Sequence, residues 1–234
     1  MIQIYKYDDL GHVQSEWLNA HHHFSFGHYM NPSRMGFGPL RVINDDEIKA
    51  GSGFGLHPHR DMEIITYVRQ GTIIHKDSMD NTGKTQAGDV QVLSAGKGVA
   101  HSEYADSKAG ENTKIYQIWI EPRAKGLEPA WGQAEFPRNS VGNHLNLLVS
   151  GRPEDADKGA LVIQQDAAIF GGRLDKGAEL TQALRGKNAY VLVSKGAVSL
   201  DGQSMSEGDG AEITDQASVT ITAASDSEVL IIEL

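Results

Sequence analysis

The chain has 234 residues, 39% hydrophobic and 22% charged, enough to bury one large core or two small ones and unlike a disordered chain. It contains no cysteine, so disulfides, thiolate ligands and thiol catalysis are excluded, and any metal must be held by His, Asp or Glu. The formal net charge is −10 with no basic run to offset it, which argues against direct nucleic-acid binding.

The first residues, MIQIYKYDDLGH, place an acidic pair where a signal peptide needs apolar residues, and no later apolar run approaches the ~20 residues that span a bilayer. A cytoplasmic protein without membrane association is expected. His21-His22-His23 reads as a loop with surface imidazoles, the alternative being that His22, Phe24 and Phe26 approach the mouth of a cavity. Asp45-Asp46 before Glu47 reads as a solvated turn.

Chemistry concentrates next, in Gly55-Leu-His-Pro-His-Arg-Asp-Met-Glu63. Residues two apart on a strand point the same way, so His57 and His59 project together, and Pro58 between them fits a strand start or sheet edge. Short runs rich in Ile, Val, Thr and Tyr follow at 64–70, 72–76, 90–93 and 114–120, separated by Gly, Asp and Asn turns. Between them, Gly98-Val-Ala-His-Ser-Glu103 carries a second i, i+2 pair, His101 and Glu103. An isolated HxH or HxE is weak. Two such pairs on neighbouring inward-facing strands would present three imidazoles and a carboxylate to one point, a set suited to a divalent first-row metal.

Segment 153–157 reads as a turn between halves, and β-rich runs resume at 189–194, 197–200, 218–222 and 228–234. Both halves share their punctuation: a strand ending at Gly71 and then Gly88-Asp89 in the first, a strand ending at Gly196 and then Gly208-Asp209 in the second. This predicts two similar β-barrels, with the division falling between residues 125 and 150. No histidine follows His144, so the second barrel cannot build an imidazole site.

The stretches HPHRDMEIITYV, HKDSMDN, AGDVQVLSAGKGVAHSE, HFSFGHYMNP and GFGPLRVINDD resemble the pirin family, most closely its bacterial members with quercetin 2,3-dioxygenase activity. The resemblance is strong over residues 17–121, where Gly51, His57, His59, Glu63 and Gly71 match a first cupin motif. Gly88, Ser94-Ala-Gly96 and His101 match a second, with Ser94 where many cupins carry proline. Residues 122–234 fit the bicupin layout more loosely.

The resemblance implies an all-β protein of two cupin (jelly-roll-like) β-barrels packed face to face: a metal-bearing N-terminal domain, 1–130, and a metal-free C-terminal domain, 131–234. It places the metal ligands on His57, His59, His101 and Glu103 and demotes Glu63 to a supporting role. A carboxylate near the metal must accept the substrate's hydroxyl proton, a role expected of Glu103 as ligand and base, with Glu63 the rival base. The implied cofactor is one divalent transition metal, Fe(II) foremost, with Mn, Ni, Co, Cu and Zn as the other ions such a set accepts. The implied activity is cleavage of quercetin or a related flavonol or enol aromatic by O2, in a monomer. The competing expectation is a metal-binding redox or stress regulator that acts through a protein partner, and a third is that flavonol cleavage is incidental to turnover of another enol or phenol.

Overall fold

The computed structural model describes residues 1–140, 142, 144–186 and 188–234. Strands dominate. In chain order they are β1 (Ile2–Tyr5), β2 (Gly11–Gln14), β3 (Leu18–His22), β4 (Leu40–Ile48), β5 (Gly53–His59), β6 (Glu63–Gln70), β7 (Thr72–Asp77), β8 (Thr82–Gln86), β9 (Val90–Ser94), β10 (Val99–Ala105) and β11 (Thr113–Ile120). They continue as β12 (Ala130–Ala134), β13 (Asn146–Ser150), β14 (Leu161–Val162), β15 (Ala168–Leu174), β16 (Glu179–Ala183), β17 (Asn188–Lys195), β18 (Ala197–Leu200), β19 (Gln203–Ser206), β20 (Gly210–Thr214), β21 (Ser218–Ala223) and β22 (Ser227–Glu233). Helix is confined, among the described residues, to three 3₁₀ turns, one of them at Pro153–Asp155.

The chain divides into two compact units: residues 11–136 with 161–165, and residues 1–10 with 137–160 and 166–234. The first is a two-sheet cupin sandwich, a seven-stranded sheet ordered β12-β9-β6-β11-β4-β3-β2 and a four-stranded sheet ordered β5-β10-β7-β8. β6 is buried along most of its length and reads as a nearly continuous apolar run, whereas β10 alternates buried and less buried residues and so turns His101, Glu103 and Ala105 to one side. One end of the interior is sealed by Ile48, Val68 and Ile115 from the larger sheet against Ile73 and Ala105 from the smaller.

The second unit repeats the plan. Its larger sheet runs β1-β20-β17-β22-β15-β13 and its smaller one β16-β21-β18-β19, and a single apolar cluster including Val191, Leu200, Val219, Ile221 and Ile231 fills it. The shared punctuation has a structural cause. Val68 N–H bonds the Asp89 carbonyl and Gly88 N–H the Val68 carbonyl, as Val193 does with Asp209 and Gly208. The turns at Gly88 and Gly208 require φ of +90° and +84°, which glycine adopts without steric cost.

Two local expectations are corrected. Asp45 and Asp46 are not in a solvated turn but in the middle of β4, 5% and 1% exposed. His21 and His22 end β3, and His22 and His23 are buried rather than on a surface loop. In both places the polar residues occupy interior positions, which a hydrophobicity pattern assigns to apolar ones.

Candidate metal centre

β5 is the edge strand of the smaller sheet, so Pro58 lacks an N–H where the ladder tolerates it. Its neighbour β10 pairs antiparallel with it and sets His101 opposite His57. A register shift between His101 and Glu103 then places Glu103 opposite Phe54. On its other side β10 pairs with β7, which puts His75 opposite Glu103 and Asp77 opposite His101.

The ligand-capable atoms of His57, His59 and His101 lie within 4.8 Å of one another. Metal–imidazole bonds of about 2.0–2.1 Å put neighbouring ligand nitrogens within roughly 4 Å, so this spacing closes around one ion with small shifts. Both ring nitrogens of His101 are buried without a hydrogen-bond partner, a costly state for a polar group and a natural one for a ligand. His57 Nδ1 donates to the Gly55 carbonyl at 2.6 Å, which fixes Nε2 as the lone-pair nitrogen. Burial, then His57, lowers the His59 pKa to about 4, and burial, then His57, His59 and His75, lowers that of His101 to about 3. Both rings are therefore neutral at physiological pH, the form that coordinates.

Glu103 gathers with His101 and His75 in a second group of the same tightness, so His101 is common to both. Thr66 Oγ1 (2.9 Å) and Gln91 Nε2 (2.6 Å) donate to Glu103 Oε1, and Gln117 Nε2 (2.7 Å) donates to Oε2. The carboxyl is 1% exposed, and burial raises its pKa against the lowering by Thr66 and the nearby histidines. Glu63 lies apart from both groups: Ser94, the residue that replaces the usual proline, donates to its Oε2 at 2.5 Å. Asp61 is held in a turn, at φ 49°, by the Gly126 N–H at 2.7 Å.

His75 is the participant that sequence reasoning passed over. Its Nε2 bonds Asp77 Oδ2 at 3.1 Å, and its ring stacks on Trp131 at 4.9 Å between centroids and 10° between planes. Burial alone would raise the Asp77 pKa, but bonds from Asn81, His75 and the backbone lower it, so the carboxylate stays charged. The sequence carries a signal for it, a third i, i+2 pair in His75-Lys-Asp77.

His57 and His59 form part of the wall of a cavity of about 490 Å³, well within the range of small-molecule sites. Trp17, Phe26, Phe54 and Trp119 supply its aromatic surface. Trp119 meets His59 edge to face at 5.0 Å.

Comparison with known proteins agrees with this architecture. Residues 5–120 match the family model described as Pirin, and residues 147–234 match the one described as Quercetinase C-terminal cupin domain. A quercetin 2,3-dioxygenase of Escherichia coli K12 is 43% identical over 100% of this chain and 99% of its own. A pirin-like protein of Caulobacter vibrioides is 46% identical over 100% and 99%. Among solved structures, the bacterial pirin YhhW of E. coli in complex with nickel(II) superposes with a TM-score of 0.91 at 41% identity, covering 100% of this chain and 99% of that one.

Proposed function

Since the chain belongs to the pirin family, we propose that it is a metal-dependent dioxygenase that cleaves a flavonol-like enol aromatic with O2, its metal held by His57, His59, His101 and Glu103. The observation that carries this reading is the convergence of the three imidazoles His57, His59 and His101, the first two of them on the wall of an aromatic-lined cavity. A divalent first-row ion suits that donor set, and Fe(II) is the ion we assign to it, although the nickel(II) complex of the E. coli relative shows that a different divalent ion is held by that protein. The chemistry supplied by the metal when bound is polarisation of the substrate hydroxyl and electronic contact between substrate and dioxygen.

The protein does the rest. Trp119, Phe26 and Phe54 present flat apolar surface that orients a planar ring system and keeps water from it. Glu103 accepts the hydroxyl proton as the substrate binds. Burial makes it a stronger base than a solvated carboxylate, and its bonds from Thr66, Gln91 and Gln117 hold it in place for that transfer. Among the described residues no helix is long and apolar enough to cross a membrane, and we place the reaction in the cytoplasm.

The test uses protein loaded separately with Fe(II), Mn(II), Ni(II), Co(II) or Cu(II) and mixed with quercetin under oxygen. Loss of the flavonol absorbance with release of carbon monoxide is expected, and His101→Ala should abolish it. Tight metal binding without turnover of the flavonol would sink the dioxygenase and leave the competing role, a metal-dependent regulator acting through a protein partner.

A further inference from the structure

Three polar residues of β3 and β4 that do not belong to the metal site meet on the same cavity wall. Asp46, Asn44 and His22 all line the cavity that His57 and His59 border. Asp46 is 1% exposed and its Oδ1 has no hydrogen-bond partner, so a carboxyl group stands beside the cavity with a hydrogen-bonding oxygen unused. His22 Nδ1 contacts Asn44 Oδ1 at 2.7 Å. A carboxamide oxygen only accepts, so Nδ1 carries the proton and Nε2 keeps a lone pair. Phe26 packs against the same imidazole at 5.4 Å between ring centroids, adding an aromatic face beside the acceptor.

We infer that Asp46 and His22 form a second recognition point in this cavity, one that accepts a hydrogen bond from a hydroxyl group of the ligand other than the hydroxyl at the metal. The inference rests on the proposed function for the first hydroxyl and adds the substrate class: a planar aromatic carrying at least two hydroxyls. His22 Nε2 is an acceptor, and a protonated Asp46 carboxyl keeps a carbonyl acceptor beside its O–H donor, so the matching ligand group is a hydroxyl, which donates to either and can accept from the carboxyl. Burial, then Asp45 and Glu103, raise the Asp46 pKa well above its ordinary value, and burial lowers that of His22. Burial thus disfavours charge on both groups, and a wall of this kind suits a neutral hydroxyl better than an ammonium group. Asp46 belongs to neither ligand-capable cluster among the described residues, so the metal does not account for it.

Anaerobic titration of the Ni(II)-loaded full chain with two flavonols tests this. Quercetin and 3-hydroxyflavone share the metal-binding hydroxyl and carbonyl, but only quercetin carries further hydroxyls. One matched hydrogen bond in a dry site predicts that quercetin binds about tenfold more tightly. Asp46→Leu should bring the two affinities together while 3-hydroxyflavone still binds, which also reports an intact site. Asp46→Asn, which keeps an acceptor oxygen, should retain most of the preference, and His22→Phe should lower it. Equal affinities in the unmodified protein, or an undiminished preference in Asp46→Leu, would overturn the second recognition point and leave the metal-site reading standing. Binding of neither flavonol would overturn both.

Discussion

The two units share one strand plan and fill it with opposite chemistry. Matching their registers pairs β10 with β21 and β7 with β18, so that Ala105 opposite Ile73 corresponds to Ala223 opposite Val198. Two residues along, Glu103 opposite His75 corresponds to Ile221 opposite Leu200. His101 then matches Val219, and His57 opposite it matches Gln182. The larger sheets follow suit: Thr66 with its partners Gln91 and Gln117 occupies the place of Val191 with Ala211 and Ile231. A ring of donors around a carboxylate in one unit is thus a plug of aliphatic side chains in the other. The comparison teaches that this fold does not need its interior polar groups. Where they occur, they are there for binding, and their burial must be matched bond for bond.

The largest effect should come from converting one interior into the other halfway. Glu103→Ile places the residue of the second unit into the first but leaves the Thr66, Gln91 and Gln117 donors buried without an acceptor, at a cost of about 3 kcal/mol. Adding Thr66→Val, Gln91→Ala and Gln117→Ile removes the orphaned donors and should recover most of that loss. Urea unfolding of the metal-free proteins, compared at constant m, measures both steps. A fourfold variant no more stable than Glu103→Ile would show that the polar ring is not what makes the carboxylate necessary.

The second unit keeps its charges too, but paired and away from the aliphatic plug. Asp155, 3% exposed, accepts from both Nη atoms of Arg185 at 2.9 and 2.8 Å, and from Ser150 and Lys158. The Arg185 bonds, with those from Lys158 and Ser150, hold its pKa far below the ordinary 3.8 despite the opposing effect of burial. A carboxylate depressed in the folded state stabilises fully above its unfolded value, and that stability is lost as pH falls. Asp155→Asn should therefore cost about 2 kcal/mol at pH 7. The gap to the unmodified protein should stay level down to about pH 5 and close below 3.8. A gap that does not depend on pH would mean that shape, not charge, sets the contribution.

The contrast also explains what could be read from the sequence. β18, β21 and β22 stand out because their inward positions are apolar, and Thr72–Asp77 is visible through Thr72, Ile73 and Ile74 although His75 is one of its inward residues. β4 does not stand out, since Asn44-Asp45-Asp46-Glu47 reads as a turn. In the fold Asp45 pairs with Arg69 and Asp46 borders the cavity. His22 reaches a cavity mouth only in the alternative reading of the histidine run, with Phe26 beside it as the cavity has them, but its contact with Asn44 across the β3–β4 pair is not contained in the spacing. The pairs His57/His59 and His101/Glu103 are legible because period-two spacing puts each on one face. That His101 shares a second group with His75 depends on the β7–β10 register, which no local pattern contains.

The smallest predicted effect isolates that last residue. His75 Nε2–H donates to Asp77, which leaves Nδ1 as a lone pair, buried and without a partner, in a ring 5.4 Å from that of His101. His101 also has both nitrogens buried and unpartnered. If one binds the metal, the other carries a proton that needs an acceptor, and His75 Nδ1 is the free acceptor in its group. His75→Leu, the residue at the matched position of the second unit, should weaken metal binding about tenfold without abolishing it, as loss of a partner that orients a ligand does. Competition with a chromophoric chelator reads this directly. Complete loss of binding would make His75 a ligand in its own right, and unchanged affinity would reduce it to the packing role that Leu200 plays. Asp77→Asn keeps the shape but replaces the charged acceptor that holds His75 in this tautomer, so it should reproduce the weakening if orientation, rather than bulk, is what His75 contributes.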